Sequence, residues 1–134
     1  MNKLFVDKKL FVSKKLLSLF VLFLLLSCKG IASLPIEPIL TGKNDPVSLA
    51  SDEASLFGYA LSLNAWLIDA KGYVNLYYKE DKFPFFENFD PKFKGGTGDA
   101  GLKARISYYK RYIEAIKPIA IAVYRKYTQV TLKE

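Results

Sequence analysis

Residues 51–79 read SDEASLFGYALSLNAWLIDAKGYVNLYYK, and the spacing of the apolar side chains in this stretch decides the fold. Leu56, Ala60, Leu63, Leu67, Ala70, Val74 and Tyr77 follow one another at alternating steps of four and three. Such spacing gathers side chains into one stripe of an α-helix, and holding it over three heptads gives the stripe coiled-coil character. Tyr59, Trp66 and Tyr73 form a second row beside it, seven residues apart. Ser51, followed by Asp52 and Glu53, predicts an N-cap with acids in the first turn, where unpaired N–H groups favour negative charge. Gly58 and Gly72 weaken the helix by up to about 1 kcal/mol each.

Toward the C-terminus the pattern recurs. Leu102, Ile106, Tyr109, Ile113, Ile116, Ala120, Val123 and Tyr127 again alternate four and three, which predicts a second helix over about 100–128 with Asp99 as its N-cap. Tyr108, Tyr112, Ala115, Ile119 and Ala122 widen its apolar face. Pro118 lies inside the pattern, removes one N–H donor and crowds the carbonyl of Glu114, so a kink or a short break is expected there. The two predicted helices match in length, at about 28 residues or about 42 Å each.

Between the helices lies KEDKFPFFENFDPKFKGGTGD, residues 79–99, a long loop with five phenylalanines: Phe83, Phe85, Phe86, Phe89 and Phe93. The simplest fold is all-α, an antiparallel hairpin of two long helices with this aromatic loop. Two helices make a thin core and their apolar faces are wide. Completion therefore requires the loop to wrap over the pair, or two hairpins to join as a homodimeric four-helix bundle.

Several function classes are removed by counting. The 134 residues contain one cysteine and no histidine. No internal disulfide, Ser-His-Asp triad, Cys-His pair or conventional His/Cys zinc site can be built. Gly95, Gly96, Gly98 and Gly101 precede a helix, yet they do not fit the phosphate-loop spacing, because Leu102-Lys103 follows Gly101 where Lys-Ser/Thr is required. Of the close acids, Asp52-Glu53 reads as a helix start and Glu80-Asp81 as a helix end, and Glu87 with Asp90, in the aromatic loop, come with no evident cleft to hold them apart for glycoside chemistry. No enzymatic activity, metal or diffusible cofactor is expected.

At the N-terminus Lys3, Lys8, Lys9, Lys14 and Lys15 precede LLSLFVLFLLLS, residues 16–27, twelve residues without charge. As a helix this run spans about 18 Å, short of the roughly 30 Å hydrocarbon core, and it fits a signal h-region better than a membrane span. It ends at Leu25-Leu26-Ser27-Cys28, which resembles a bacterial lipobox, with Leu at −3 and a small residue at −1; Leu26 replaces the usual small residue at −2, as in the looser boxes of spirochaetes. The resemblance implies cleavage before Cys28 and a diacylglycerol thioether on its sulfur, usually with an N-acyl chain. Two or more chains suffice for stable membrane attachment, since each buried methylene contributes about 0.8 kcal/mol. The expected organisation is a cleaved signal at 1–27, a lipidated cysteine with a flexible Pro/Gly tether at 28–48, and a helical domain at 49–134. Ile36, Ile39 and Leu40 in the tether are candidates for packing back on the domain.

The basic balance of the precursor belongs largely to that leader. Residues 1–27 hold five lysines and one aspartate, so +7 less +4 leaves +3 for the remainder. This is poor ground for nucleic-acid binding. Within the remainder, residues 44–101 carry nine acids against five bases, and residues 102–134 eight bases against two acids. One reading is complementarity between the two helices. The other is a basic face, Lys103, Lys110, Arg111 and Lys117, offered to an anionic partner. The five loop phenylalanines, with Lys82, Lys92 and Lys94 beside them, either cap the hairpin or form an aromatic-plus-cation contact surface.

The lysine-rich leader, loose lipobox, Pro/Gly segment and Lys/Tyr/Phe-rich helical region together resemble the small surface lipoproteins of Borrelia-type spirochaetes. The resemblance implies a non-catalytic lipoprotein of the outer membrane, attached through Cys28 and displayed on the cell surface, where it binds a host protein or glycosaminoglycan. The alternative is a periplasmic lipoprotein with a structural or envelope-assembly role.

Overall fold

The computed structural model describes residues 14–21 and 30–129, and three helices with no strand are found among them. Helix α1 covers residues 14–21 of the N-terminal unit, within the expected leader; Cys28 and the lipobox-like residues before it lie outside the described residues. No described helix is long and apolar enough to cross a membrane. The second unit begins at Ile31 and contains helices α2, Pro46–Tyr77, and α3, Gly98–Gln129, of 32 residues each.

Helix α2 starts five residues before the expected Ser51. Asp45 is the N-cap: its carboxylate accepts from Ser48 N–H at 3.0 Å, and Pro46 occupies the first turn, where a missing N–H costs nothing. Counting Pro46 as tether hid this start. Helix α3 passes unbroken through Pro118, whose neighbourhood was expected to kink or break.

Both stripes are the core. In α2 Leu56, Ala60, Leu63, Leu67, Ala70 and Val74 are buried, with Tyr59 and Trp66 beside them, while Tyr77 is exposed. In α3 Ile106, Tyr109, Ile113, Ile116, Ala120, Val123 and Tyr127 are buried, and Leu102 packs at the margin.

The direction of the pair corrects the expected hairpin. Glu53 meets Arg105 near the start of both helices. Phe57 packs on Tyr109, Trp66 on Tyr124, and Tyr78 on Tyr127. Partners advance together along the two chains, so α2 and α3 run parallel. A short connection would force antiparallel neighbours. The connection here, residues 78–97, can reach about 66 Å when extended, against about 48 Å for a 32-residue helix, so it can return the chain to the starting end.

This return segment descends along one side of the pair. Asp81 accepts from Tyr127 at 2.8 Å, Glu87 O from Tyr112 at 3.0 Å, and Lys94 O from Arg105 at 2.9 Å, in that order down α3. The core is completed from it by Phe89, which lies within 6 Å of the rings of Phe57, Tyr108, Tyr109 and Tyr112.

Residues 31–45, expected as part of a flexible tether, lie along the other side. Trp66 Nε1 donates to Ala32 O at 2.9 Å, and Asp52 accepts from Thr41 N, Thr41 Oγ1 and Gly42 N at 2.8, 2.9 and 3.2 Å. Ile31, Leu34 and Leu40 pack on the core and Glu37 pairs with Lys117, whereas Ile36 and Ile39 are almost fully exposed. Of the three residues expected to pack back, only Leu40 does so.

The two extended segments occupy opposite sides. Trp66, which holds the first segment, and Ile68, which borders the return segment, stand about 160° apart around α2 at 100° per residue. Lys117 and Ile119 are separated by the same angle on α3, with Lys117 toward Glu37 and Ile119 toward Phe85 and Phe86.

Candidate functional site

The return segment forms a ridge whose backbone is fixed by side chains of both helices. Asn64, a lone amide on the apolar stripe of α2, donates to Asn88 at 3.2 Å. Tyr112 donates to the Glu87 carbonyl, and Tyr108 OH accepts from Asp90 N–H at 3.1 Å. Burial pushes the Tyr112 phenol up to about 12, so it remains a donor at neutral pH.

The five phenylalanines divide on this ridge. Phe89 is buried, Phe83 and Phe86 are half-buried against each other, and Phe93 packs on Tyr108 with ring centroids 4.4 Å apart. Phe85 is 85% exposed. The aromatic loop is therefore mainly core, and Phe85 alone among the five projects into solvent. Two grooves flank it. One, of about 420 Å³, runs between the ridge and α3 and is lined by Phe85, Phe86, Glu87, Arg111, Tyr112 and Ile119 among others. The other, of about 680 Å³, runs between the ridge and α2 and is lined by Ile68, Lys71, Lys82, Phe83, Phe85 and Phe86 among others. Glu87 is the sole carboxylate among the lining residues of the two grooves, so the loop acids are not paired across a cleft.

The four basic candidates do not form one face. Lys103, Lys110 and Lys117 fall seven residues apart on one line of α3, and Arg111 stands well around the helix from them. Lys117 is bound to Glu37, which raises its ammonium pKa, and Lys110 acts electrostatically on Asp52; this line therefore borders the first extended segment. Arg111 is the one that borders Phe85. Part of the charge segregation thus serves internal pairs: Glu37 with Lys117, Glu53 with Arg105, and Asp81 with Lys126.

Arg105 escaped the sequence reading. Its guanidinium reaches Glu53 at 2.6 Å and the carbonyls of Lys94 and Gly96 at 2.9 and 3.3 Å. It closes the glycine-rich turn, where Gly95, Gly96 and Gly98 have positive φ and a Cβ on Gly101 would lie 2.2 Å from the Gly96 oxygen. The glycines serve this tight approach of backbone to backbone, and its carbonyls face a cation. No group of three or more Asp, Glu, His or Cys residues able to hold a metal ion occurs among the described residues.

The described residues define an all-helical module that bears an aromatic ridge flanked by grooves. The chain belongs to the Borrelia orf-D family, whose model matches residues 33–129. Over 107 residues it is 35% identical to the outer membrane lipoprotein BBA14 of Borreliella burgdorferi, an alignment covering 79% of this chain and 85% of that protein. The resemblance to Borrelia-type lipoproteins drawn from the leader and the composition is borne out at that level. The family match begins at residue 33, so it takes in most of the segment laid along the helices.

Proposed function

We propose that this protein is an outer-surface lipoprotein, acylated on Cys28, that binds a host macromolecule without catalysis through the ridge centred on Phe85. The observation that carries this reading is an 85%-exposed phenylalanine held on a fixed backbone between two grooves. An aromatic ring held on a fixed backbone and flanked by grooves suits an anchor for a partner. Arg111 on one side, with Lys71 and Lys82 on the other, gives the site a basic rim. That rim suits a sulfated glycan or an acidic protein surface. The lipobox-like Leu25-Leu26-Ser27-Cys28 and the outer membrane lipoprotein relative support the anchor.

Protease treatment of intact cells tests display: the protein should be lost without lysis, and survival until lysis moves it to the periplasm and favours an envelope-assembly role. Cys28→Ala should abolish acyl labelling and membrane association. Binding of the lipidated protein to immobilised heparan sulfate and to serum proteins should fall at least tenfold in a Phe85→Ala/Arg111→Ala variant with an unchanged helical spectrum, a loss of about 1.4 kcal/mol or more. Unaltered binding places the contact elsewhere.

A further inference from the structure

The first extended segment carries a feature that the folded domain does not explain. Ile36 and Ile39 are 93% and 98% exposed, although the same stretch lays Leu34 and Leu40 against the core. Both side chains therefore stand in solvent, three residues apart on the same segment. Only residues 29 and 30 separate Cys28 from Ile31, which packs on the core next to the segment's bond to Trp66. Three residues of chain reach about 10 Å at full extension.

We infer that this face of the domain lies on the bilayer that holds the Cys28 lipid, with Ile36 and Ile39 inserted at the interface between headgroups and acyl chains. The inference rests on acylation of Cys28 as proposed above. A lipid attached within about 10 Å of a packed residue cannot let the domain stand far from the membrane. The surface nearest that attachment is the segment bearing the two exposed isoleucines. Lys43 lies within the same segment and Lys110 borders it beside Asp52, while Lys117 neutralises Glu37 between the two isoleucines, so cations stand beside the apolar edge in the manner of interfacial membrane-binding elements. Phe85 lies on the opposite side of the helix pair. One orientation therefore buries the unexplained isoleucines in lipid and turns the proposed contact ridge away from the membrane.

The test uses the full acylated chain in vesicles of phosphatidylcholine with a minority of phosphatidylglycerol. The sulfur of Cys28 is blocked by its lipid, so Ile39→Cys and Phe85→Cys variants each take one nitroxide label. Collisions with oxygen, which partitions into lipid, are compared with collisions with a water-soluble nickel chelate. The label at 39 should favour oxygen and meet nickel at least about fivefold less often than the label at 85, as expected for a side chain within the interface. In an Ile36→Ser background the label at 39 should become more accessible to nickel; Ile36 is exposed, so the change leaves the fold intact. Equal nickel access at 39 and 85 on acylated protein overturns the orientation while leaving the lipoprotein reading in place. Protection at 85 with exposure at 39 overturns it as well. A mass spectrum showing no acyl chain on Cys28 removes both.

Discussion

Arg105 Nε lies 2.6 Å from Glu53 Oε1, joining the N-terminal thirds of two helices that a hairpin would hold at opposite ends. The same guanidinium holds the carbonyls of Lys94 and Gly96, so a single side chain registers α2, α3 and the end of the return segment. Both partners are about one-quarter exposed, which limits the pair's contribution through solvent screening. Arg105→Ala should lower stability by about 1 kcal/mol, read from the urea midpoint, and speed proteolysis within residues 94–97. Arg105→Lys should not restore the loss, since an ammonium lacks the planar fork that meets a carboxylate and two carbonyls together. Full rescue by lysine would reduce the contact to simple charge attraction.

The loop phenylalanines should separate into structural and surface positions. Phe89→Ala should cost about 3–5 kcal/mol, as for other buried aromatic truncations. Phe85→Ala should change stability by no more than about 0.5 kcal/mol, because its ring is largely in water. Equal effects in thermal melts would contradict the division.

A similar contrast applies within α2. Leu63 is 1% exposed and Leu61, two residues earlier, is 43% exposed. Leu63→Ala should cost about 2–5 kcal/mol, and Leu63→Asp more, by burying an unpaired charge. Leu61→Ala should stay within about 0.5 kcal/mol. Denaturant titration of the three variants measures this directly.

Asp52 makes the hold on the first extended segment dependent on acid. Hydrogen bonds from the Thr41 backbone, then the Thr41 hydroxyl and the Gly42 backbone, lower its pKa below the ordinary 3.8. A carboxyl whose folded pKa is depressed contributes stability that is fully present above its unfolded pKa and is lost as pH falls through the folded value. The amide resonances of Thr41 and Gly42 should therefore hold steady above about pH 4 and move below it, and in Asp52→Asn this acid step should vanish. A step that persists in Asp52→Asn would assign the transition to another carboxyl.

Much of the fold is legible in the residues, and what is missed has identifiable causes. The four-three spacing marks most buried positions of both helices, because burial on a helix is periodic. It cannot give direction, since the same stripe serves a parallel or an antiparallel neighbour. Direction depends on the loop, which is long enough to return the chain to the starting end; the parallel arrangement follows only when Phe89 and Phe93 are placed beside Tyr108 and Tyr109. Asp45-Pro46 is a helix start in plain view, obscured by treating prolines as tether. The packing of residues 31–45 has a sequence trace in the three-residue spacing of Ile31, Leu34, Glu37 and Leu40, although Glu37 breaks the apolar run and becomes legible only with Lys117 opposite. The candidate residues are redistributed: Phe85 and Arg111, from two separate candidate surfaces, line one groove, while Lys117 is engaged with Glu37 on the other side.

The parallel arrangement underlies the two opposed faces, and distance measurement between spin labels tests it most directly. In a full-length chain with Cys28 replaced by serine, labels at Ser51 and Lys103 should lie within about 25 Å. Labels at Ser51 and Lys126 should be separated by about 35 Å or more, since 23 residues of helix rise that far. A short Ser51–Lys126 distance with a long Ser51–Lys103 distance would establish an antiparallel pair and contradict the account.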